Sequence, residues 1–183
     1  MGCYKFFSYL FIPLQHQNNR SCYGDQKVSK IKNMSIYLVL DFESTCWEND
    51  KTIPPEVIEF PVVLLDLKSG KILEEFQQFV FPTEHATLSD FCTKFTGITQ
   101  GQIEENGVPL STAIGLFIKW LSNLSLKYGF SVVPSKSREK LATFTTWSDW
   151  DLGRCLKFEC NRKSISKPSY FNHWIDLRAL YKV

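Results

Sequence analysis

Two acidic side chains, Asp41 and Glu43, stand one residue apart at the end of the apolar run IYLVL. Side chains of a strand alternate between its two faces, so both carboxylates lie on the same side at the carboxyl end of the strand. Two like charges at that spacing repel, and protonation, a cationic partner or a metal ion must offset the repulsion. A lone D-x-E sequence is common, however, and by itself it is more often a pair of surface charges than a metal site.

A second acidic group, in the sequence TTWSDWDLG, follows a later predicted strand. Asp149 is placed to cap the next helix and Asp151 falls in its first turn, which is one sufficient explanation for both acids. The other explanation is a site, because open α/β sheets bind ligands at the carboxyl ends of their strands. Three carboxylates suit Mg²⁺ or Mn²⁺ better than zinc. Clusters of this kind serve phosphodiester cleavage with two ions about 3.5–4 Å apart.

The elements that position these acids follow from apolar periodicity and turn residues. Ser89 is a candidate helix cap and Gly97 a candidate stop, with a second short helix after it. Apolar residues recur at helical spacing from Leu110 through Ile118 to Leu124, which predicts the firmest helix of the chain. The remaining sequence predicts strands at 36–41, 57–67, 71–82 and 141–147, a helix over 150–163, and a strand or helix start over 173–181.

Single residues inside the second and third predicted strands carry further expectations. Pro61 predicts that the strand over 57–67 is an edge strand or contains a bulge, and Glu59 is interpreted as a surface charge on that edge. Gly70, in the turn KSG, is free to adopt a positive φ. Strands in a meander followed by strands that alternate with helices predict an α/β domain with a mixed sheet.

The amino-terminal residues, 1–34, are interpreted as a poorly specified extension to a domain that covers 35–183. The run FFSYLFIPL is too short to span a membrane and contains Pro13, so no membrane association is expected. The start MGCYKF resembles a myristoylation site but has Phe6 where Ser or Thr is required.

Composition leaves the partners open. The net charge of +2 over 183 residues is too small to indicate nucleic-acid binding by bulk electrostatics. Six cysteines without a C-x-x-C pair give no zinc or disulfide pattern. Reduced, mostly buried thiols are expected, and they favour an intracellular location.

Long motifs in a fixed order carry a resemblance through most of residues 36–182. LVLDFESTCW, VIEFPVVLLDL, LSDFCTKFTGITQGQI, TWSDWDLGRCL and WIDLRALYK together resemble the exoribonuclease family of the enhanced-RNAi and three-prime histone-mRNA exonucleases, and most of all its family-member-2 branch. This family belongs to the DEDD exonucleases. The resemblance implies a ribonuclease-H-like mixed β-sheet flanked by helices, two divalent ions (Mg²⁺ or Mn²⁺), and 3′-to-5′ hydrolysis of single-stranded RNA, or DNA, in the nucleus or cytoplasm.

The resemblance also assigns roles to acidic residues. Asp41 and Glu43 match the first motif as metal ligands, with Asp41 bridging both ions. Asp151 matches the second motif, and Asp149 is the alternative if the register shifts.

Further positions match the part of the family that binds the substrate. Phe42 and Thr45 would lie beside the terminal nucleotide, where contacts with apolar side chains tolerate any base. Trp47 and Trp150 are left open between core and site. The segment expected to pack on the 3′-terminal base and sugar consists of Phe95, Thr96, Gly97 and Ile98.

The third motif of the family is a histidine followed five positions later by an aspartate, and it supplies the general base. The resemblance places it after Val183, and the pair His173 and Asp176 has the wrong spacing. His85 is interpreted as a loop residue. The chain as written is therefore expected to lack this base and the last helices of the domain, which would leave apolar surface uncovered.

Three hypotheses remain at this point. The first is a metal-dependent 3′-5′ exonuclease. The second is a non-catalytic nucleic-acid-binding or regulatory module that keeps the 3′-end pocket. The third is a structural domain with vestigial acids.

Overall fold

A mixed β-sheet is the centre of the computed structural model, which describes residues 36–132 and 140–181. Its strands within these residues are β1 (Ile36–Leu40), β2 (Glu43–Ser44), β3 (Val57–Asp66), β4 (Lys71–Phe79), β5 (Phe130–Ser131), β6 (Lys140–Thr146) and β7 (Trp174–Asp176). They follow the order β2-β3-β1-β6-β5, with β4 beside β3 and β7 beside β6. β1 runs antiparallel to β3 and parallel to β6, and β7 is parallel to β6. The predicted mixed α/β sheet is confirmed.

The helices begin and end largely where local signals predict. The side chain of Ser89 accepts a hydrogen bond from the backbone N–H of Cys92, and Gly97 ends the helix with φ of 79°. Both predicted boundaries are confirmed, as is the positive φ of Gly70. The helices are α1 (Asp90–Thr96), α2 (Gln100–Asn106), α3 (Leu110–Tyr128), a π-helix (Trp150–Cys155) that continues as α4 (Leu156–Arg162), a 3₁₀ turn (Ser169–Asn172) and α5 (Leu177–Tyr181).

The main core lies between α3 and one face of the sheet. The ring of Phe117 on α3 lies 4.9 Å from that of Phe60 on β3, centroid to centroid. The sequence placed Ile118 on the buried face of α3, but this prediction was wrong, since Ile118 is 41% exposed. It follows Phe117 directly, about 100° further around the helix, and so points away from the sheet. The residues of α3 that are buried are Leu110, Ala113, Ile114, Phe117, Leu121 and Leu124.

β3 corrects two predictions. It has neighbours on both sides, so it is not an edge strand. Pro61 pairs with Gln77 of β4, but on its other side it lies opposite the break between β1 and β2, where no ladder partner receives an N–H. The irregularity in its pairing with β4 occurs between Leu64 and Leu65 instead. Glu59 is 3% exposed, not a surface charge, and its carboxylate accepts a hydrogen bond from the side chain of Gln77.

The other face of the sheet carries a smaller apolar cluster. Tyr37, Val39 and Leu65 are at most 8% exposed and pack with Ile175. The expected uncovered apolar surface is therefore absent from this part of the described sheet. Further along the described chain, α5 does expose Leu180 and Tyr181.

Several expectations concern targeting and the cysteines. No helix in residues 36–132 or 140–181 is long and apolar enough to cross a membrane. The four cysteines in these ranges, at 46, 92, 155 and 160, are free thiols, as expected. The extension at 1–34 lies outside the described residues. The domain boundary and the intracellular location stay predictions.

Candidate active site

A break in the sheet sets the position of the first two acids. β1 ends at Leu40, and the chain re-enters the ladder at Glu43, which pairs with Glu59 of β3. Phe42 lies between the two acids with its ring 4% exposed in the core. Because neighbouring side chains point to opposite faces, burial of this ring leaves Asp41 and Glu43 on the other face. The carboxylates thus share one side, as predicted.

The second-motif acid reaches the same place through one backbone hydrogen bond. The Oδ1 atom of Asp151 accepts a bond of 2.9 Å from the backbone N–H of Phe42, 109 positions earlier in the chain. Asp151 is 4% exposed. It stands in the π-helical turn, where its carbonyl accepts the N–H of Leu156, five residues on. Single π-turns often occur at functional sites, and this one directs Asp151 to the break between β1 and β2.

Burial and mutual repulsion raise the pKa of all three carboxyl groups. Burial and then the charge of Glu59 raise the pKa of Asp41 to about 6. Burial, and then the charges of Asp41 and Glu59, raise the pKa of Glu43 to about 7. Burial and then Asp41 raise that of Asp151 to about 7, although the Phe42 N–H opposes the change. The acids are therefore close enough to repel one another.

The chemistry of this donor set fits a hard divalent cation. Asp41, Glu43 and Asp151 offer only oxygen ligands, which Mg²⁺ and Mn²⁺ prefer. None of the three forms an ion pair with a side chain of the described residues. Within those residues, however, no three acidic, histidine or cysteine side chains are already arranged around one point as a finished metal site.

Glu59 is a fourth carboxylate that sequence reasoning missed. It pairs with Glu43 across the β2–β3 ladder and raises the pKa of both Asp41 and Glu43. Its signal was present in the sequence, because it is the one charged residue in the otherwise apolar run VIEFPVVLL. A charge inside a fully buried strand points to a site more strongly than to an edge.

Asp149 is not the helix cap that its position predicts. Its side chain makes no capping bond, and its Oδ1 atom accepts instead from Nε1 of Trp174 at 3.2 Å. The N–H of Trp150 is bonded by Ser148 Oγ. Gly153 permits the approach of Trp174, since a Cβ atom there would lie 3.2 Å from the indole ring. Asp149 is exposed and Asp151 is buried, so the two acids have different surroundings.

The FTGI segment stands at the carboxyl end of α1, a helix that packs on β2. Cys92 Sγ lies 3.5 Å from the carbonyl of Ser44, and Ser89 Oγ donates to the carbonyl of Cys46. The four residues of this segment at the end of α1 differ in exposure. Phe95 is 69% exposed and Gly97 is also exposed, whereas the buried positions are Thr96 and Ile98.

Buried members of the predicted substrate set hold the backbone. Thr96 Oγ1 donates to the carbonyl of Cys92 and accepts from the N–H of Ile98. Thr45 Oγ1 accepts from the N–H of Glu56, and Thr45 is 2% exposed. The side chains of Phe42, Thr45, Thr96 and Ile98 thus contact protein.

Two tryptophans that the sequence left open lie at least partly at the surface. Trp47 is half-buried and packs edge-on against His85, and Trp150 is 37% exposed beside Asp151. Neither is a core residue.

A buried ion cluster, not anticipated from the sequence, fixes the walls of the site. Glu56 is fully buried, and Lys163 Nζ lies 2.6 Å from both Glu56 and Glu159. Glu159 also accepts the N–H of Val57 at 2.7 Å. The cluster ties β3, α4 and a loop together, since Glu56 also accepts the backbone N–H groups of Thr83, Glu84 and His85.

His173 is remote from the acids along the strand direction. Val39 of β1 is level with Thr145 of β6, which is level with Ile175 of β7. His173 precedes that level by two residues and Asp41 follows it by two, a separation of about 13 Å at 3.3 Å per residue. Asp176 accepts the N–H of Ala179 as a cap of α5. The pair does not serve the acid cluster, and the position of the third motif stays a prediction.

Comparison with protein families gives one match over most of the chain. The family described as Exonuclease (RNase T) matches residues 38–183. The chain is 50% identical over 168 residues to human ERI1 exoribonuclease 2, with 87% of this chain and 24% of that protein aligned. It is 46% identical over 156 residues to the 3′-5′ exonuclease Snipper of Drosophila melanogaster, covering 81% of this chain and 54% of the relative. The chain spans about a quarter of the length of the ERI1 exoribonuclease 2 relatives that it matches.

Solved structures give the same grouping. The nuclease domain of 3′hExo, a DEDDh family member bound to rAMP, superposes with a TM-score of 0.70 at 30% identity, over 82% of this chain and 72% of that one. The structure of cell-death related nuclease 4 superposes with a TM-score of 0.70 at 28% identity, over 82% of this chain and 47% of the other.

Proposed function

The chain belongs to the Exonuclease family, and from that premise we propose that it removes nucleotides from the 3′ end of single-stranded RNA by a two-metal mechanism. The observation that carries the proposal is the hydrogen bond from Phe42 N–H to Asp151, which joins two distant strand ends into one acidic cluster. The raised pKa values of Asp41, Glu43 and Asp151 support it, because a divalent ion stabilises carboxylates that burial and mutual repulsion make costly to ionise.

In this proposal the residues around the acidic cluster have different roles. Asp41, Glu43 and Asp151 hold Mg²⁺ or Mn²⁺, which activates water and stabilises the leaving oxygen when bound. Phe42 acts through its backbone, since its N–H fixes one oxygen of Asp151 and leaves the other for the ion. Glu59 adds negative charge beside Asp41 and Glu43 and so strengthens cation binding.

The terminal nucleotide contacts the exposed residues at the carboxyl end of α1. Phe95 offers an apolar face, already stacked on Phe91 with ring centroids 5.7 Å apart, and Gly97 allows close approach of a sugar. Thr96 and Ile98 hold the turn from inside, as Thr45 holds the opposite strand. Stacking on such a surface tolerates every base. The name of one structural relative records a bound rAMP, which supports a ribonucleotide as the ligand.

A nuclease assay on end-labelled RNA tests the proposal. A 5′-labelled single-stranded oligonucleotide should shorten in a ladder from its 3′ end with Mg²⁺, and should remain intact with EDTA or in the Asp41→Asn variant. A matching DNA oligonucleotide reports the sugar preference. Because the chain as written is expected to lack the general base, cleavage should be slow, and it is followed in single-turnover reactions with excess protein. RNA that is bound but not shortened at any Mg²⁺ or Mn²⁺ concentration would refute the proposal and would favour the non-catalytic module.

A further inference from the structure

Aromatic residues and arginines alternate along one side of the helix that carries Asp151. Trp150, Arg154, Phe158 and Arg162 follow one another at intervals of four, so they form a stripe along the continuous helical segment 150–162. Trp150 is 37% exposed and Phe158 is 53% exposed. Packing of the core therefore does not explain these two large aromatic side chains.

The stripe lines an apolar pocket of about 480 Å³. Phe158 and Trp150 lie on the helical side, and Pro54 and Pro55 are also among its lining residues. Arg162 fixes the prolines against the helix, because its Nη2 donates to the carbonyl of Pro55 at 2.9 Å. Its Nε also donates to the carboxylate of Glu84. Arg162 is thus part of the wall, whereas Arg154 forms no ion pair within the described residues.

A second pocket, of about 450 Å³, shares Arg154 with the first. Lys157 and Lys167 also line it, together with a single carboxylate, Asp149, whose Oδ1 is bonded by Trp174. Lys167 Nζ lies 3.4 Å from two backbone carbonyls and forms no ion pair with the described side chains. Burial, and then repulsion by Lys157, lower the pKa of Lys167, which an anion would relieve.

We propose that the two pockets together form an upstream track for the nucleotides that precede the 3′-terminal one, with bases stacked on Phe158 and phosphates bound by Arg154, Lys157 and Lys167. This inference rests on the proposed function. Proteins that bind single strands combine aromatic platforms with a basic groove in this way. Here Arg154 stands between an apolar pocket and a basic one.

The position of the two pockets beside the acidic cluster favours a nucleic-acid strand as their occupant. The stripe begins at Trp150, directly before Asp151, and Phe158 lies about 12 Å further along the helix at 1.5 Å per residue. A strand whose 3′ end lies at Asp151 and that runs along this helix would pass over these pockets. An apolar protein segment would fill the first pocket but would leave the three cations of the second unmatched.

Binding of oligonucleotides of different length tests the track. The dissociation constant of the full chain is measured by fluorescence anisotropy for 5′-labelled RNA of two and of eight nucleotides, with Ca²⁺ as the cation. Phe158→Ala should weaken binding of the eight-nucleotide RNA by about 5- to 150-fold, the loss expected for one base stack. Arg154→Ala should also reduce the slope of log affinity against log salt by about 0.7. Binding of the dinucleotide should not change in either variant.

Matched controls are available on α3. Leu126→Ala removes an apolar side chain that is 85% exposed, and Lys119→Ala removes an exposed cation. Both should leave binding of the eight-nucleotide RNA unchanged. Phe158 and Arg154 are exposed themselves, and thermal melting of their variants verifies that the fold is intact.

Two results would overturn the track. One is unchanged binding of the eight-nucleotide RNA in both variants, as expected if the pockets accept a protein segment. The other is an equal loss for the dinucleotide and the longer RNA. Hydrolysis of the dinucleotide with Mg²⁺ is scored separately, so a chain that cleaves it but shows either result keeps the proposed function and loses only the track. Length-dependent binding that responds to Phe158→Ala, in a chain that cleaves nothing, keeps the track and refutes the nuclease.

Discussion

Replacement of Asp151 by Asn should make the metal-free protein more stable at alkaline pH while it removes the response to metal. The carboxyl group is buried, and its pKa rises from 3.8 to about 7 on folding. At 1.36 kcal/mol for each pH unit, ionised Asp151 is about 4 kcal/mol less stable in the folded chain than in the unfolded one. An amide of the same shape still accepts the N–H of Phe42 and carries no charge.

The pH dependence follows from the sign of that change. Below pH 3.8 the carboxyl group is protonated in the folded and the unfolded chain, and it does not disfavour folding. As the pH rises from 3.8 through about 7, the free energy of unfolding of the parent falls, because the folded state binds the proton more tightly than the unfolded state. The free energy of unfolding of Asp151→Asn should therefore equal that of the parent near pH 4 and exceed it by about 2–4 kcal/mol at pH 8.

Urea unfolding in EDTA at pH 4, 6 and 8 measures this difference. Asp149→Asn is the matched control, since Asp149 is exposed and its amide can still accept from Trp174; it should show no such pH-dependent gain. The reasoning fails if Asp151→Asn is no more stable than the parent at pH 8. In that case a cation other than an added metal already compensates the carboxylate.

Three further outcomes follow from the same geometry. Asp41→Asn should weaken Mn²⁺ binding in a titration by at least tenfold and Asp149→Asn by less than twofold; equal losses would place the site elsewhere. Mg²⁺ should raise the melting temperature more at pH 8 than at pH 5.5, because protons compete for carboxyl groups with pKa values of about 6 to 7, and a larger effect at pH 5.5 would contradict this. Lys163→Ala should lower the free energy of unfolding by about 3–5 kcal/mol because it leaves two buried carboxylates without their cation. Lys127→Ala, which breaks an exposed pair, should cost at most about 1 kcal/mol, and similar losses in these two variants would show that the buried cluster is not stabilising.

Local signals in the sequence predicted the parts of the site that local chemistry determines. Ser89 and Gly97 bound α1 because a cap and a left-handed turn depend on a few neighbouring residues. Alternation along β1 likewise placed Asp41 and Glu43 on one side. The helix over 150–163 was predicted from its composition, although its π-helical first turn was not.

The errors concern features that pairing of distant segments decides. Pro61 was expected to mark an edge or a bulge, and Glu59 to lie on that edge, but β3 is covered on one side by β4 and on the other by β1 and β2. Position 61 tolerates proline because the strand opposite it is interrupted, and no local sequence pattern reveals that interruption. Asp149 failed as a cap for a related reason: Trp174, from a later strand, takes its carboxylate.

The hydrogen bond between Phe42 and Asp151 depends both on local sequence signals and on the pairing of distant segments. The first motif provides a backbone N–H only because β1 stops at Leu40 and the Phe42 ring turns into the core. The second acidic group provides a carboxylate because Asp151 points inward from the π-helical first turn of the helix while Trp150 stays at the surface. This turn therefore carries both the buried acid and the start of the exposed stripe that we assign to the upstream nucleotides. A substitution that converted it to a regular α-turn would rotate Asp151 and Trp150 together, so metal binding and binding of long RNA should be lost in the same variant.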